Sequence, residues 1–541
     1  MDSYEPPPSA WQRHGAWLAP LGVFASTVIL TVLCFPPHTA PDFAYVFASP
    51  AIFWAYSRPR LKIFAWTLFA AQAVAWILLL AWLRHVTWAG LFLLGPFVGA
   101  WVGCWYLAAW WAMPRIVGRS AIVRMAAQMG LAGFWVLIEW SRTWLLSGFP
   151  WLPLAASQWQ RTSILQIAAF TGAYGVSFVL IAMNVGFAAY AHRLFREGEL
   201  NLLRRRSPEF MLALFLLLAC LTVQMRETIN RRLYNESLGR IAFVQPYIPQ
   251  SVKWDPAEGP EILRTLDRLT QAAGASQADL ILWPESAVPE PLRGDPPIRA
   301  WVESLSKRSR SSLLLGSNAE EAGPAGMRWY DAAFAVSPES GIQPGYYAKR
   351  HLVPFGEYVP LRPILGWMSK FVPLPDDATP GADPAPLVVR LPRASAAFGV
   401  LICYEDVFPQ LARESVRSGS DVLAVLTNDA WYGEGGAAYQ HAAHSVLRAV
   451  ETRRPVLRCG NGGWSGWIDE FGGIRDTLAD ENGSVYLRGT TTVNVMRDAR
   501  WAGVRSFYVE HGDWFVLASA ALAAFAFALL GGKFGVVAPP A

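Results

Sequence analysis

The chain has 541 residues, 53% of them hydrophobic and only 16% charged, against about 25% charged in ordinary soluble domains. Its mean hydropathy is positive and it carries 26 Trp, so much of it is expected to lie in lipid with Trp at the interfaces. The net charge of +5 forms no basic stripe, which argues against a nucleic-acid partner, and five cysteines without CxxC or Cys/His spacing argue against a disulfide framework or zinc.

Taken in chain order, apolar segments lie near 16–35, 42–57, 61–83, 88–112, 120–146, 166–192 and 209–226, and one more near 513–531. About 20 apolar residues cross the hydrocarbon of a bilayer, so a helical bundle of about eight spans is expected, with 42–57 short enough to be re-entrant. Phe35-Pro36-Pro37 and the further spans argue against a cleaved signal. Loops after the even-numbered segments hold eleven Lys and Arg, those after the first, third and fifth only Arg84, Arg142 and Arg161. That bias places both termini in the cytoplasm and the long region before the last segment outside. Three domains are therefore expected: a transmembrane domain over 1–230, an external domain over 231–512, and a transmembrane helix with a short tail over 513–541.

Across 233–512 strand-like runs at 240–245, 279–283, 312–317, 397–402, 422–427 and 455–458 alternate with helical patterns such as 260–273 and 407–418. Alternation of this kind predicts a layered α/β domain. Glu285 after LILWP, Lys349 in GYYAKRH and Cys403 after FGVLI stand at or near strand ends, where open α/β sheets hold their active-site groups. Singly they read as a surface carboxylate, a solvated amine and a core thiol. Together they supply a base, an oxyanion-stabilising cation and a nucleophile for acyl transfer, with a lowered thiol pKa as the expected means of activation. His441 and His444 lie three apart with no carboxylate or thiol nearby to complete a shell, so no metal or other cofactor is expected. Cys34, Cys104 and Cys220 read as packed thiols.

The stretches VQPYIPQSVKWD (244–255), LILWPESAVP (280–289), YYAKRHLVPFGEYVPLR (346–362), FGVLICYEDVFP (398–409), LTNDAWYGEGGAAYQH (426–441) and LRAVETRRPVLRCGNGG (447–463) resemble, in order, the nitrilase (carbon–nitrogen hydrolase) superfamily. With its apolar segments, the whole chain resembles the apolipoprotein N-acyltransferases of bacterial inner membranes. That resemblance implies a nitrilase-like αββα sandwich with Glu285 as general base, Lys349 as oxyanion-stabilising cation and Cys403 as nucleophile. It also implies a supporting Glu357 that orients Lys349, supporting Tyr404 and Glu405, and Trp254 and Trp431 beside an acyl-binding cleft.

The implied reaction passes a phospholipid acyl chain through a Cys thioester to the N-terminal amine of a diacylglyceryl-modified lipoprotein. The implied setting is a monomer among membrane lipids of the inner membrane, with its catalytic domain in the periplasm. The apolar segment 361–375 is expected to be a mobile arm that gates lipid entry. Tyr247 and Cys459 depart from the family pattern, which usually has Asn and a hydroxyl residue there, and Cys459 reads as a buried structural thiol. Two other readings stay open. A membrane-anchored amidase would share the triad, although one span would anchor it. A transporter with an external binding domain needs ionisable groups inside its spans, and Glu139, the main candidate, sits near a helix end.

Overall fold

A computed structural model of the chain describes residues 10–38, 40–196, 207–231, 234–324, 326–367, 377–392 and 395–532. Among the described residues, the longer helices before the α/β region are α1 (Ala10–Leu33), α2 (Ser49–Tyr56), α3 (Leu61–Leu79), α4 (Trp88–Ile116), α5 (Ala121–Ser141), α6 (Ala173–Arg196) and α7 (Pro208–Arg231). Among the described residues six helices are long and apolar enough to cross a bilayer, namely α3 to α7 and the C-terminal Trp514–Gly531. The first contributes a shorter apolar stretch, Trp17–Leu33. Close helix packing comes from small residues. Gly95, Gly99 and Gly103 of α4 face α3, where a methyl group on Gly99 would lie 2.7 Å from the backbone of Gln72.

The segment 42–57, expected as a short span or a re-entrant stretch, does not form one helix. It breaks into a 3-10 stretch, Pro41–Tyr45, and the 8-residue α2, which begins at Ser49-Pro50. Backbone polar groups freed by such a break need partners in an apolar setting. Asn184 of α6 supplies them: its side chain accepts from the Ala48 amide at 2.7 Å and donates to the Ala44 carbonyl at 2.8 Å.

The α/β region that follows is built on two sheets. The first contains β1 (Asn235–Gln245), β2 (Leu280–Leu282), β3 (Ser312–Gly323), β4 (Gly326–Ser337), β5 (Gly341–Ile342), β6 (Tyr347–Ala348) and, returning at the end, β13 (Gly489–Asp498). Its order is β13-β1-β2-β3-β4-β5, with β6 also paired to β4. The second runs β12-β11-β10-β9-β8-β7 through β7 (Leu387–Arg390), β8 (Ser395–Ile402), β9 (Val422–Asn428), β10 (Val456–Asn461), β11 (Gly466–Ile468) and β12 (Ile474–Thr477). In each sheet the central strands are parallel and their residues apolar on both faces.

One face of each sheet meets the other across a shared core that includes Ile241, Phe243, Leu282, Phe398, Val400 and Leu426. The outer face of the first sheet is covered by α8 (Gly259–Ala275) and α9 (Pro296–Ser309). The outer face of the second is covered by α10 (Pro409–Arg417) and α11 (Ala437–Thr452), which gives four layers, αββα. The apolar cluster around α10 and α11 runs without interruption into the membrane helices. The sandwich thus rests on the bundle through the sheet that carries Cys403. Most of the expected arm at 361–375, from 368 onward, lies outside the described residues.

Candidate active site

Cys403 follows β8 directly and has φ +50°, in the left-handed region. A residue with a Cβ pays roughly 1–2 kcal/mol for that conformation, so its surroundings must enforce the turn. Glu405 does much of this: its carboxylate accepts from the Ile402 amide at 2.7 Å, the Arg350 and His351 amides at 2.7 and 3.1 Å, and the Tyr347 hydroxyl at 2.8 Å. One buried side chain therefore fastens the Cys403 turn to the strand end that carries Lys349. Tyr404 points the other way, donating to the Gly148 carbonyl of the loop after α5 at 3.2 Å.

Glu285 reaches the same pocket from the end of β2. Its Oε2 accepts from the Asn428 amide at the end of β9 at 2.7 Å, so the two sheets fix its orientation between them. The other oxygen lies 3.3 Å from Lys349 Nζ, and the charge of the carboxylate acts on the Cys403 thiol. Lys349 Nζ also sits 3.4 Å from Asp331 Oδ2 and 2.5 Å from Glu357 Oε1. Glu357 is held in turn by the Val353 amide at 2.9 Å. Arg362 pairs with Asp377. Lys349 thus supplies positive charge among three carboxylates whose oxygens lie within 4.8 Å of one another.

These groups sort themselves electrostatically. Burial raises the Glu285 pKa, but Lys349, the Asp331 hydrogen bond and Lys253 outweigh it and keep the carboxyl below its ordinary value. Asp331 goes the other way: burial and then the Glu285 charge push it well above the carboxylate range, so it holds a proton beside Glu285. Glu357 is also raised, chiefly by burial. Burial opposes the Lys349 charge, yet Glu357, Glu285 and Asp331 hold it firmly protonated.

The Cys403 thiol departs from expectation. Burial and the Glu285 charge push its pKa well above the ordinary value, with Lys349 only partly opposing them. The lowered thiol pKa expected from the sequence is therefore corrected: the ammonium is already matched by carboxylates, and the resting pair is a thiol facing an ionised Glu285. Such a pair suits general-base activation, in which the thiolate forms only as it attacks.

Asp331, within β4, carried no signal in the sequence beyond a carboxylate in a strand. Lys253, next to Trp254 in the SVKWD stretch, likewise has no signal of its own in the sequence. It is buried, donates to the Glu285 carbonyl at 3.1 Å, and is lowered to about 8 by burial against the pull of Glu285. Trp254 and Trp431 are half-exposed, at 49% and 42%, and Trp254 lies under the Lys253 ammonium at 5.8 Å. Cys459 is buried between the sheets, its thiol donating to the Val244 and Leu282 carbonyls at 3.3 Å. It and Cys403 are both free thiols.

Residues 240–499 match the carbon-nitrogen hydrolase family and residues 27–186 the apolipoprotein N-acyltransferase N-terminal domain. An apolipoprotein N-acyltransferase of Geobacter metallireducens is 35% identical over 398 residues, 73% of this chain and 72% of the relative. Those of Methylococcus capsulatus and Nitrosomonas europaea are 34% and 30% identical, covering 67% and 78% of this chain and 68% and 76% of theirs. A crystal structure of an amidase from Nesterenkonia sp. aligns over 52% of this chain and 97% of its own, at 18% identity and a TM-score of 0.37. On the strength of these relatives and both family matches, the chain is a membrane protein and an acyltransferase that belongs to the apolipoprotein N-acyltransferase family.

Proposed function

We propose that Glu285, Lys349 and Cys403 carry out a two-step acyl transfer from a phospholipid to the N-terminal amine of S-diacylglyceryl-cysteine on a lipoprotein. In the first step Glu285 takes the thiol proton as the Cys403 sulfur bonds to the ester carbonyl. Lys349 stabilises the oxyanion. The ester C–O bond then breaks, and the leaving alkoxide recovers the proton from Glu285 as lysophospholipid departs. In the second step the lipoprotein amine attacks the thioester, an amide forms, the C–S bond breaks, and Glu285 returns the amine proton to the sulfur.

Glu357 orients Lys349, Glu405 and Tyr404 hold the nucleophile's turn, and Trp254 and Trp431 flank the acyl chain. The chain divides into a transmembrane domain (1–230), a catalytic domain (231–512) and a closing helix with a cytoplasmic tail (513–541). It works as a monomer in the bacterial inner membrane with the catalytic domain in the periplasm, where both lipid-anchored substrates reach the pocket. An acyl chain then need not be drawn through water, at about 0.8 kcal/mol per exposed CH₂.

The observation that supports this reading most is an ionised Glu285 carboxylate, paired with Lys349 at 3.3 Å, whose charge acts on the buried Cys403 thiol. The test is incubation in phospholipid nanodiscs with a diacylglyceryl-cysteine peptide, followed by mass spectrometry of the peptide. The reading requires an N-acylated peptide and one lysophospholipid for each transfer. Release of free fatty acid with the peptide unchanged would favour the hydrolytic, amidase-like alternative.

A further inference from the structure

A second buried charge cluster lies directly behind the nucleophile, on the side that faces the membrane bundle. His441 of α11 is fully buried, with Nδ1 2.9 Å from Asp429 Oδ1 and Nε2 2.9 Å from Asp406 Oδ1. Its Nε2 also lies 3.2 Å from the backbone carbonyl of Cys403 itself. A carbonyl and an ionised carboxylate only accept, so both ring nitrogens carry hydrogen and the ring is an imidazolium. Burial works against that charge, but Asp406 and Asp429 outweigh it and raise the pKa above the ordinary value. Arg458 binds the far oxygens of the same two carboxylates, at 2.8 and 3.2 Å, which leaves two positive and two negative charges in balance.

The residue before His441 is tied to the other half of the molecule. The Gln440 side-chain carbonyl accepts from the indole N–H groups of Trp82 and Trp151, at 3.0 and 2.9 Å. Its amide donates to the carbonyls of Pro36 and Leu79, at 3.1 and 3.0 Å. All four partners belong to the membrane bundle and its outer loops, and together they use the hydrogen-bonding capacity of the amide. Two successive residues of one helix are thus clamped at opposite ends, Gln440 to the bundle and His441 to the backbone of the nucleophile. A buried amide and a buried imidazolium held this fully have one geometry available to them.

We propose that Gln440 and His441 are positioning residues through which the membrane bundle holds the Cys403 turn in its reactive left-handed conformation. The inference rests on Cys403 being the nucleophile. It goes beyond that assignment in making the bundle a working part of the acyl-transfer site as well as its anchor. The nucleophile's sulfur sits on a turn that a chain with a Cβ does not adopt freely. Each support removed lets the sulfur drift from Glu285, and a displacement of about 1 Å in a reacting group is enough to lower rates by about 100-fold.

The test is the rate of alkylation of Cys403 by iodoacetamide in the full-length protein in detergent, read peptide by peptide by mass spectrometry. It is applied to wild type, Gln440→Leu, His441→Ala and His441→Gln. Cys459 is fully buried between the sheets and serves as an internal monitor of folding in the same sample. Gln440→Leu and His441→Ala are expected to slow Cys403 labelling by about tenfold or more, with Cys459 still protected. His441→Gln, which can still donate to the Cys403 carbonyl, should recover part of the loss.

A purely structural role predicts the opposite pattern, with Cys403 labelled as fast as in wild type or faster and Cys459 exposed alongside it. That result would overturn the proposal, as would unchanged Cys403 labelling in Gln440→Leu with Cys459 protected. Should His441→Ala unfold, Gln440→Leu decides alone, because it lies a full residue from the nucleophile's contacts. The comparison needs no lipid substrate. Failure of wild type to form an acyl adduct would therefore count against the acyl-transfer reading and leave this measurement standing.

Discussion

Two buried charge clusters flank Cys403, similar in composition and opposite in behaviour. In front of the sulfur, Glu285, Asp331 and Glu357 surround Lys349, and their proton affinities are driven apart: Glu285 down, Asp331 and Glu357 up. Behind it, Asp406 and Asp429 face His441 and Arg458, and every shift favours the charged form: both carboxyls lowered, both cations raised. The difference is one of stoichiometry. An excess of carboxylates over cations leaves a proton to share and a base ready to accept another. Equal numbers lock each charge in place, and such a set holds geometry without titrating. Chemistry is expected to depend on the first cluster and shape on the second.

The sharpest way to break that contrast is Glu285→Gln, which keeps the shape of the side chain and removes the base. Acyl-enzyme formation should fall on the order of 10³-fold, as measured by quenched-flow mass spectrometry, with little change in melting temperature. A loss of folding with residual activity intact would place Glu285 with the structural groups instead. Next in size is Arg458→Leu, which strands two carboxylates in the core. Its stability should drop by about 3–5 kcal/mol in denaturant titrations, and a variant as stable as wild type would show that the rear cluster is not locked.

Asp331→Asn probes the shared proton. If Asp331 is protonated at rest, Asn matches its charge. Stability should hold while the rate falls roughly tenfold, the scale of one hydrogen bond to a charged group. A marked change in stability would mean that an ionised Asp331 had been removed from beside Lys349. The smallest effect concerns Lys253, whose pKa is lowered from 10.5 to about 8 in the folded chain. Folding disfavours its charged form, so the penalty is full below pH 8 and fades as pH rises toward 10.5. Lys253→Met should therefore raise the melting temperature at neutral pH, and the gain should disappear near pH 10.5. A gain independent of pH would point to packing as its source.

The same contrast explains what could be read from the sequence. Glu285, Lys349 and Cys403 lie at strand ends in short, recognisable runs, and the expected strands at 240–245, 397–402 and 422–427 fall within β1, β8 and β9. Glu357 was legible only through resemblance, since its spacing from Lys349 says nothing about contact. Asp331 reads as an ordinary polar position of β4, and its role depends on a neighbour 46 residues away, a proximity created by β2, β3 and β4 lying side by side. The rear cluster was invisible for a similar reason: Asp406, Asp429, His441 and Arg458 come from four separate elements with no common spacing.

The thiol's protonation departs from expectation because the sequence shows neither its burial nor the Glu285 charge facing it, which together outweigh Lys349. The break within 42–57 has a local cause. Pro41 and Pro50 limit the helix, and Asn184, more than 120 residues away, makes the break tolerable. Hydropathy alone registers neither.

The most direct test of the central claim is to trap the acyl enzyme. Full-length protein in nanodiscs of a single phospholipid, without acceptor, should gain the mass of one acyl chain, and peptide mapping should place it on Cys403. Cys403→Ala, with Cys34, Cys104, Cys220 and Cys459 intact, should gain none. An adduct on any other residue, or acyl transfer to acceptor by Cys403→Ala, would contradict the account.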